Sequence, residues 1–140
     1  MSNMNELPEV SLETLAHFEA QRTQIVHQAV ERSMNRQAEV VQHGEQARQL
    51  ITVGLDFTTQ AVSIAMQMRN AELLKQQLIW GNDRLPHDRV EPTHILARLR
   101  ILADVVRGTL TPTDAAAVNQ YIGYLIALQE EIITSTLRPA

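Results

Sequence analysis

The chain has 140 residues, a formal net charge of −4, and 44% apolar but only 4% aromatic side chains. That is one domain's length, with enough apolar mass for a core filled by Leu, Ile, Val, Ala and Met. The lack of any cysteine excludes disulfides, thiolate metal sites, thiol nucleophiles and thioether-linked chromophores.

Met1 to Pro8 carries Glu6 and no basic-then-apolar run of a signal peptide. No apolar stretch approaches the roughly 18 residues needed to span a membrane, so a cytoplasmic location is expected. Residues 1–10 read as a disordered lead, and 11–136 as a single helical domain. Ser11 suits a helix cap ahead of Leu12, with Glu13 favourable in the first turn. Leu12, Leu15, Phe18, Ile25, Ala29, Val30, Met34, Ala38 and Val41 then recur at helical spacing. Nothing breaks this pattern before Gly44, so the expectation is a helix of about 32 residues and nearly 50 Å at about 1.5 Å per residue. That is long for a domain of this size. A stripe of Leu15, Phe18, Ile25, Val30 and Met34 is therefore the expected seam for a second copy.

A second helix is expected over about 46–67. Ala47, Leu50, Ile51, Gly54, Leu55, Thr58, Ala61, Val62 and Ala65 form one stripe, and small members let another helix approach closely. Val53, Phe57, Ile64, Met66 and Met68 lie off it. A helix apolar over so much of its circumference is expected at the centre of the fold. Asn70 caps a third helix, Ala71 to Arg84, with Leu74, Leu78, Gly81 and Leu85 on its apolar side. Leu85-Pro86-His87-Asp88 is a loop, because a residue before proline avoids the helical region. Pro92 suits the first position of a fourth helix, with a core stripe of Ile95, Leu99, Leu102 and Val106 widened by Leu96 and Ala103. Thr111-Pro112-Thr113-Asp114 combines a threonine cap, a first-position proline and an early acid, and starts the fifth helix. That helix buries Ala115, Val118, Ile122, Leu125, Leu128 and Ile132, and residues 135–140 fray.

Chemistry is sparse along the chain. Of His17, His27, His43, His87 and His94, no two share the i, i+4 spacing of a helical metal site, and no metal centre is assigned. No serine has a glycine-flanked elbow, and no phosphate-binding glycine loop occurs. The expectation is a protein that is not an enzyme. Arg84, Arg89, Arg98, Arg100 and Arg107 form the densest basic cluster, but Asp83, Asp88, Glu91 and Asp104 interrupt it, so no nucleic-acid surface is expected. Asp56 sits in the most apolar helix and points to solvent, or else pairs with Arg48 or Arg69. Trp80 is a core residue or a stacking platform for an apolar ligand.

One resemblance rests on an ordered set of residues. Leu55-Asp56-Phe57 is followed by Ala71-Glu72-Leu73-Leu74, by Leu78-Ile79-Trp80 and by Leu85. Then come Val90-Glu91-Pro92-Thr93-His94-Ile95-Leu96, Leu99, Leu102, Val105-Val106 and Leu110-Thr111-Pro112. This order resembles the helical sensor domains at the N-terminus of stressosome regulators of the RsbR type. It is similar also to the helical segments that precede some cobalamin-binding regulators. Both share an architecture with globins and, more distantly, phycobiliproteins. The resemblance implies an all-α, globin-like bundle of about five main helices with a long N-terminal helix. It implies a non-enzymatic sensor or regulatory module acting through homodimerisation, or on a separate regulatory protein, with no bound cofactor. The alternative is a carrier or sensor of haem, another tetrapyrrole or a fatty acid, with a pocket at Phe57, Ala61, Trp80 and His94. A structural subunit of a larger assembly is a second alternative.

Overall fold

The Ser11 side chain accepts the Thr14 backbone N–H at 3.1 Å, and from this cap the first helix, α1, runs over Leu12–Met34. The computed structural model describes residues 7–36, 40, 44–84 and 90–137. After α1 come a short 3₁₀ turn at Gly44–Gln46, then α2 (Ala47–Met68), α3 (Ala71–Arg84), α4 (Pro92–Thr109) and α5 (Pro112–Leu137). The described residues contain helices and no strand, so the architecture is an all-α bundle.

The first helix is shorter than its apolar pattern predicts. It ends at Met34, where the Asn35 N–H bonds back to the Arg32 carbonyl at 3.2 Å and Arg36 to Ser33 at 3.0 Å. Those i→i−3 bonds tighten and close the last turn. Twenty-three residues span about 35 Å at about 1.5 Å each, so α1 lies within the bundle instead of projecting from it. Ala38 and Val41, the far end of the predicted stripe, lie outside the described residues.

The buried faces follow helical spacing. Phe18, Ile25, Ala29 and Val30 of α1 meet Ile51, Leu55, Val62 and Met66 of α2, Leu102 and Val106 of α4, and Val118 and Ile122 of α5 in one core. α1 packs on α2, α4 and α5, whereas α5 packs on all four other helices. The central element is therefore α5. α2 was expected there, but Val53, Phe57, Ile64 and Met68 face outward and leave it at the edge. Fully buried Tyr121 and Gln129 give α5 the polar ties that a central helix needs.

Caps end the other helices where predicted. Gly44 has a φ of 62°, a conformation that glycine adopts without strain, and it marks the approach to α2. Arg69, at φ 52°, closes α2, and Asn70 Oδ1 accepts the Glu72 N–H at 3.0 Å to open α3. Thr111 Oγ1 accepts the Asp114 N–H at 3.3 Å at the start of α5. The lead is not free along its whole length. Val10 is buried, and the Tyr121 hydroxyl donates to the Pro8 carbonyl at 2.7 Å, so residues 7–10 are tied to α5. Residues 1–6, the rest of the expected disordered lead, lie outside the described residues, as do the predicted loop over 85–88 and the last part of the fraying tail. Helix α5 continues through Leu137.

Candidate functional site

α2 and α3 diverge from the turn at Arg69 and Asn70 and leave a cleft of about 540 Å³ between them. Leu74 and Leu78 of α3, Ile95 and Leu99 of α4 and Leu125 of α5 form its apolar interior. Phe57, Ala61 and Trp80 line it as well. The Phe57 and Trp80 rings stand 6.3 Å apart at a 35° tilt, and the Arg84 guanidinium lies 5.7 Å from the Trp80 ring centre. Volume and lining match the usual small-molecule cleft between helices, apolar with a few polar groups.

Three of the four predicted pocket residues thus come together. His94 does not join them. It is buried in the first turn of α4, with its backbone N–H on the Glu91 carbonyl at 2.9 Å, and is absent from the cleft lining. Its place in the expected pocket rested on sequence order, and the packing of α4 puts it elsewhere. Among the described lining residues none is His, Cys, Met or Tyr, so the cleft offers haem iron no axial ligand and the residues present do not fit that group. His43 and His87 lie outside the described residues.

The predicted dimer seam on α1 is corrected. Phe18 and Ile25 are 0% exposed and Val30 is buried, while Leu15 and Met34 pack partly against the same core. A side chain already covered by its own chain has no surface to offer a second copy. The open apolar surface lies on α2 instead. Val53, Phe57, Ile64 and Met68 are between 47% and 62% exposed, and so is Trp80 across the cleft. Leu50, Phe57 and Ile64 are spaced by seven, as are Val53, Gln60 and Gln67. This spacing was the available signal for an exposed seam. Read only as apolar circumference, it led to a buried helix.

Polar groups elsewhere tie the helices to one another. The Thr14 hydroxyl and the His17 Nδ1–H both donate to the buried Asp114 carboxylate at 2.6 Å. A nucleophile–base pair would need the hydroxyl on the imidazole, and here it is on the carboxylate. Gln129 exchanges two amide bonds with Asn82, at 2.7 and 2.9 Å, and donates to the Pro92 carbonyl at 2.9 Å. These bonds join α3, α4 and α5 behind the cleft. Asp56 is half exposed and pairs with Arg22 at 2.9 Å, a partner 34 residues away that local spacing does not reveal. Arg100 pairs with Glu130 at 2.7 Å, Arg107 pairs with Asp104, and Arg98 is buried, so the basic cluster does not form an open stripe. Among the described residues no group of three His, Cys, Asp or Glu is placed to hold a metal, and no helix is long and apolar enough to cross a membrane.

No protein-family model matches the chain, and no curated protein matches it.

Proposed function

We propose that the chain is a non-enzymatic regulatory module that pairs with a second copy of itself through the outer face of α2 and Trp80. The observation that carries this reading is the stripe of Val53, Phe57, Ile64 and Met68, exposed along a helix of 22 residues. Monomeric proteins rarely leave a contiguous apolar patch larger than about 300–600 Å² uncovered. α2 is about 33 Å long and α3 about 21 Å, each roughly 10 Å wide. Together they present roughly 550 Å² in projection, of which the stripe on α2 and Trp80 is the uncharged part, so the face fits a pairing smaller than the roughly 800 Å² per partner of a standard interface.

A copy of the chain is the occupant that fits the chemistry. Positions 50, 53, 57, 60, 61, 64, 67 and 68 carry Leu, Val, Phe, Gln, Ala, Ile, Gln and Met, with no charge. A charged partner would bury its charges unpaired against this stripe. A second copy meets it with the same uncharged surface, and Gln60 and Gln67 can bond across a two-fold axis. The resemblance of the residue order over 55–112 to stressosome sensor domains supports a regulatory role and a globin-like arrangement, and the cysteine-free composition fits the cytoplasm.

Sedimentation velocity tests the pairing. Wild type is expected at twice the 15.8 kDa chain mass, and Ile64→Glu at the single mass with an unchanged helical circular dichroism spectrum, because Ile64 is half exposed in the single chain. A wild type that sediments as a single chain at submillimolar concentration, or an Ile64→Glu variant that still pairs, overturns the reading.

A further inference from the structure

We infer that the α2–α3 cleft binds an amphipathic anion, a single unbranched alkyl chain lying along its interior with a carboxylate held by Arg84 at its mouth. The cleft runs from Gln46, at the end of the 3₁₀ turn, to Ala61 along α2 and from Leu74 to Arg84 along α3. At about 1.5 Å per residue these spans are roughly 22 and 15 Å, so the space is elongated along the two helices. Its interior is aliphatic, and the polar groups that line it are uncharged with one exception.

That exception sets the charge of the ligand. Among the described residues Arg84 is the single charged one in the lining, and none that lines the cleft is a carboxylate. Among the described residues no acidic side chain pairs with Arg84. Its recorded contact is with the Trp80 ring, which holds a guanidinium at the edge of an apolar space with its donors available. An arginine fork matches a carboxylate geometrically. A cationic ligand would meet Arg84 unfavourably, and a wholly apolar one would leave it without use. The inference stands on the cleft lining and not on pairing, although Leu50, Val53, Phe57, Ala61 and Trp80 belong to both features, so it is tested on the wild type and on Ile64→Glu alike.

Trp80 is the only tryptophan and reports binding directly. Titration with decanoate, dodecanoate and tetradecanoate below their micelle-forming concentrations is expected to shift Trp80 emission to the blue in a saturable way. Each two-carbon extension should tighten binding roughly ten-fold, from the transfer free energy of two methylenes. Arg84→Gln is expected to weaken dodecanoate roughly ten-fold and leave dodecanol unchanged. Ala61→Phe, which fills the cleft from a partly buried position at its wall, is expected to abolish both while circular dichroism stays the same. Three results overturn the inference: no saturable shift in either wild type or Ile64→Glu, equal losses for acid and alcohol in Arg84→Gln, or uptake only onto phosphatidylglycerol vesicles with no binding of free carboxylate.

Discussion

Replacing Phe18 with alanine is expected to destabilise the fold by about 3–5 kcal/mol, the range for deleting a fully buried aromatic side chain. Phe18 is 0% exposed on α1 and belongs to the core shared with Ile25, Ile51, Leu55, Leu102 and Ile122. Its removal forfeits transfer free energy and leaves a cavity that helices on three sides can only partly collapse. At roughly 3–4 °C per kcal/mol for a domain of this length, the melting temperature falls by roughly 9–20 °C. Urea unfolding followed by circular dichroism measures the loss. The same experiment separates two roles for the α1 stripe. If Phe18 served a second copy, the variant would lose its partner and keep the stability of the single chain. The expected result is a large loss of stability that persists in the Ile64→Glu background, where pairing is absent.

The second large effect is expected at Asp114. Its carboxylate accepts from Thr14 and His17 at 2.6 Å each and sits in the first turn of α5, where the helix dipole favours negative charge. Ser11 in turn donates to Thr14 at 3.0 Å, so one buried acid ties the start of α1 to the start of α5. Because an ionised carboxylate only accepts, Nδ1 of His17 carries the proton in this contact. The Thr14 bond, then the His17 bond, hold the Asp114 carboxyl below its usual value, with a further contribution from Thr111. A depressed folded-state pKa gives stability that is fully present above the unfolded carboxyl's value of about 3.9 and is lost as pH falls through the folded value. Asp114→Ala is therefore expected to cost about 2–3 kcal/mol at pH 7, from two charge-assisted bonds and the orphaned Thr14 hydroxyl. The gap between variant and wild type should narrow below about pH 4. Thermal melts from pH 7 down to 2.5 check it, and a gap that stays constant over that range contradicts the assignment.

Helix boundaries were legible where side chains act locally. Ser11, Asn70, Pro92 and Thr111-Pro112 each stop or start a helix through their own backbone chemistry, and the structure places helix starts beside all four. The end of α1 was not legible, because neither Pro nor Gly marks it and the bonds that close its last turn run between backbone groups. Apolar periodicity identifies the face of a helix that is covered but not what covers it. The α1 stripe meets the chain's own α2, α4 and α5, whereas the second apolar face of α2 meets none of them. Three pocket residues were legible because Phe57 and Ala61 share a face of α2 and Trp80 lies one turn from the end of α3. Arg84 escaped notice as part of a charge-mixed segment, and His94 was misplaced because its orientation depends on how α4 rotates. The ties from Tyr121 to Pro8 and from Gln129 to Asn82 span 113 and 47 residues and leave no local trace.

The location of the pairing surface can be measured with single cysteines, since the chain has none of its own. A two-fold axis brings the residue nearest to it beside its own copy, and a disulfide forms only when the two Cα atoms lie within about 7 Å. Cysteine is introduced in turn at Val53, Phe57, Gln60, Ile64 and Met68, and at exposed Ala116 and Gln120 of α5 as controls. The rate of covalent dimer formation under mild oxidation is then followed. Fast cross-linking at one or more α2 positions, with slow cross-linking at both controls, is the result expected. Rates along the α2 stripe no faster than at Ala116 and Gln120 would contradict self-association through this face.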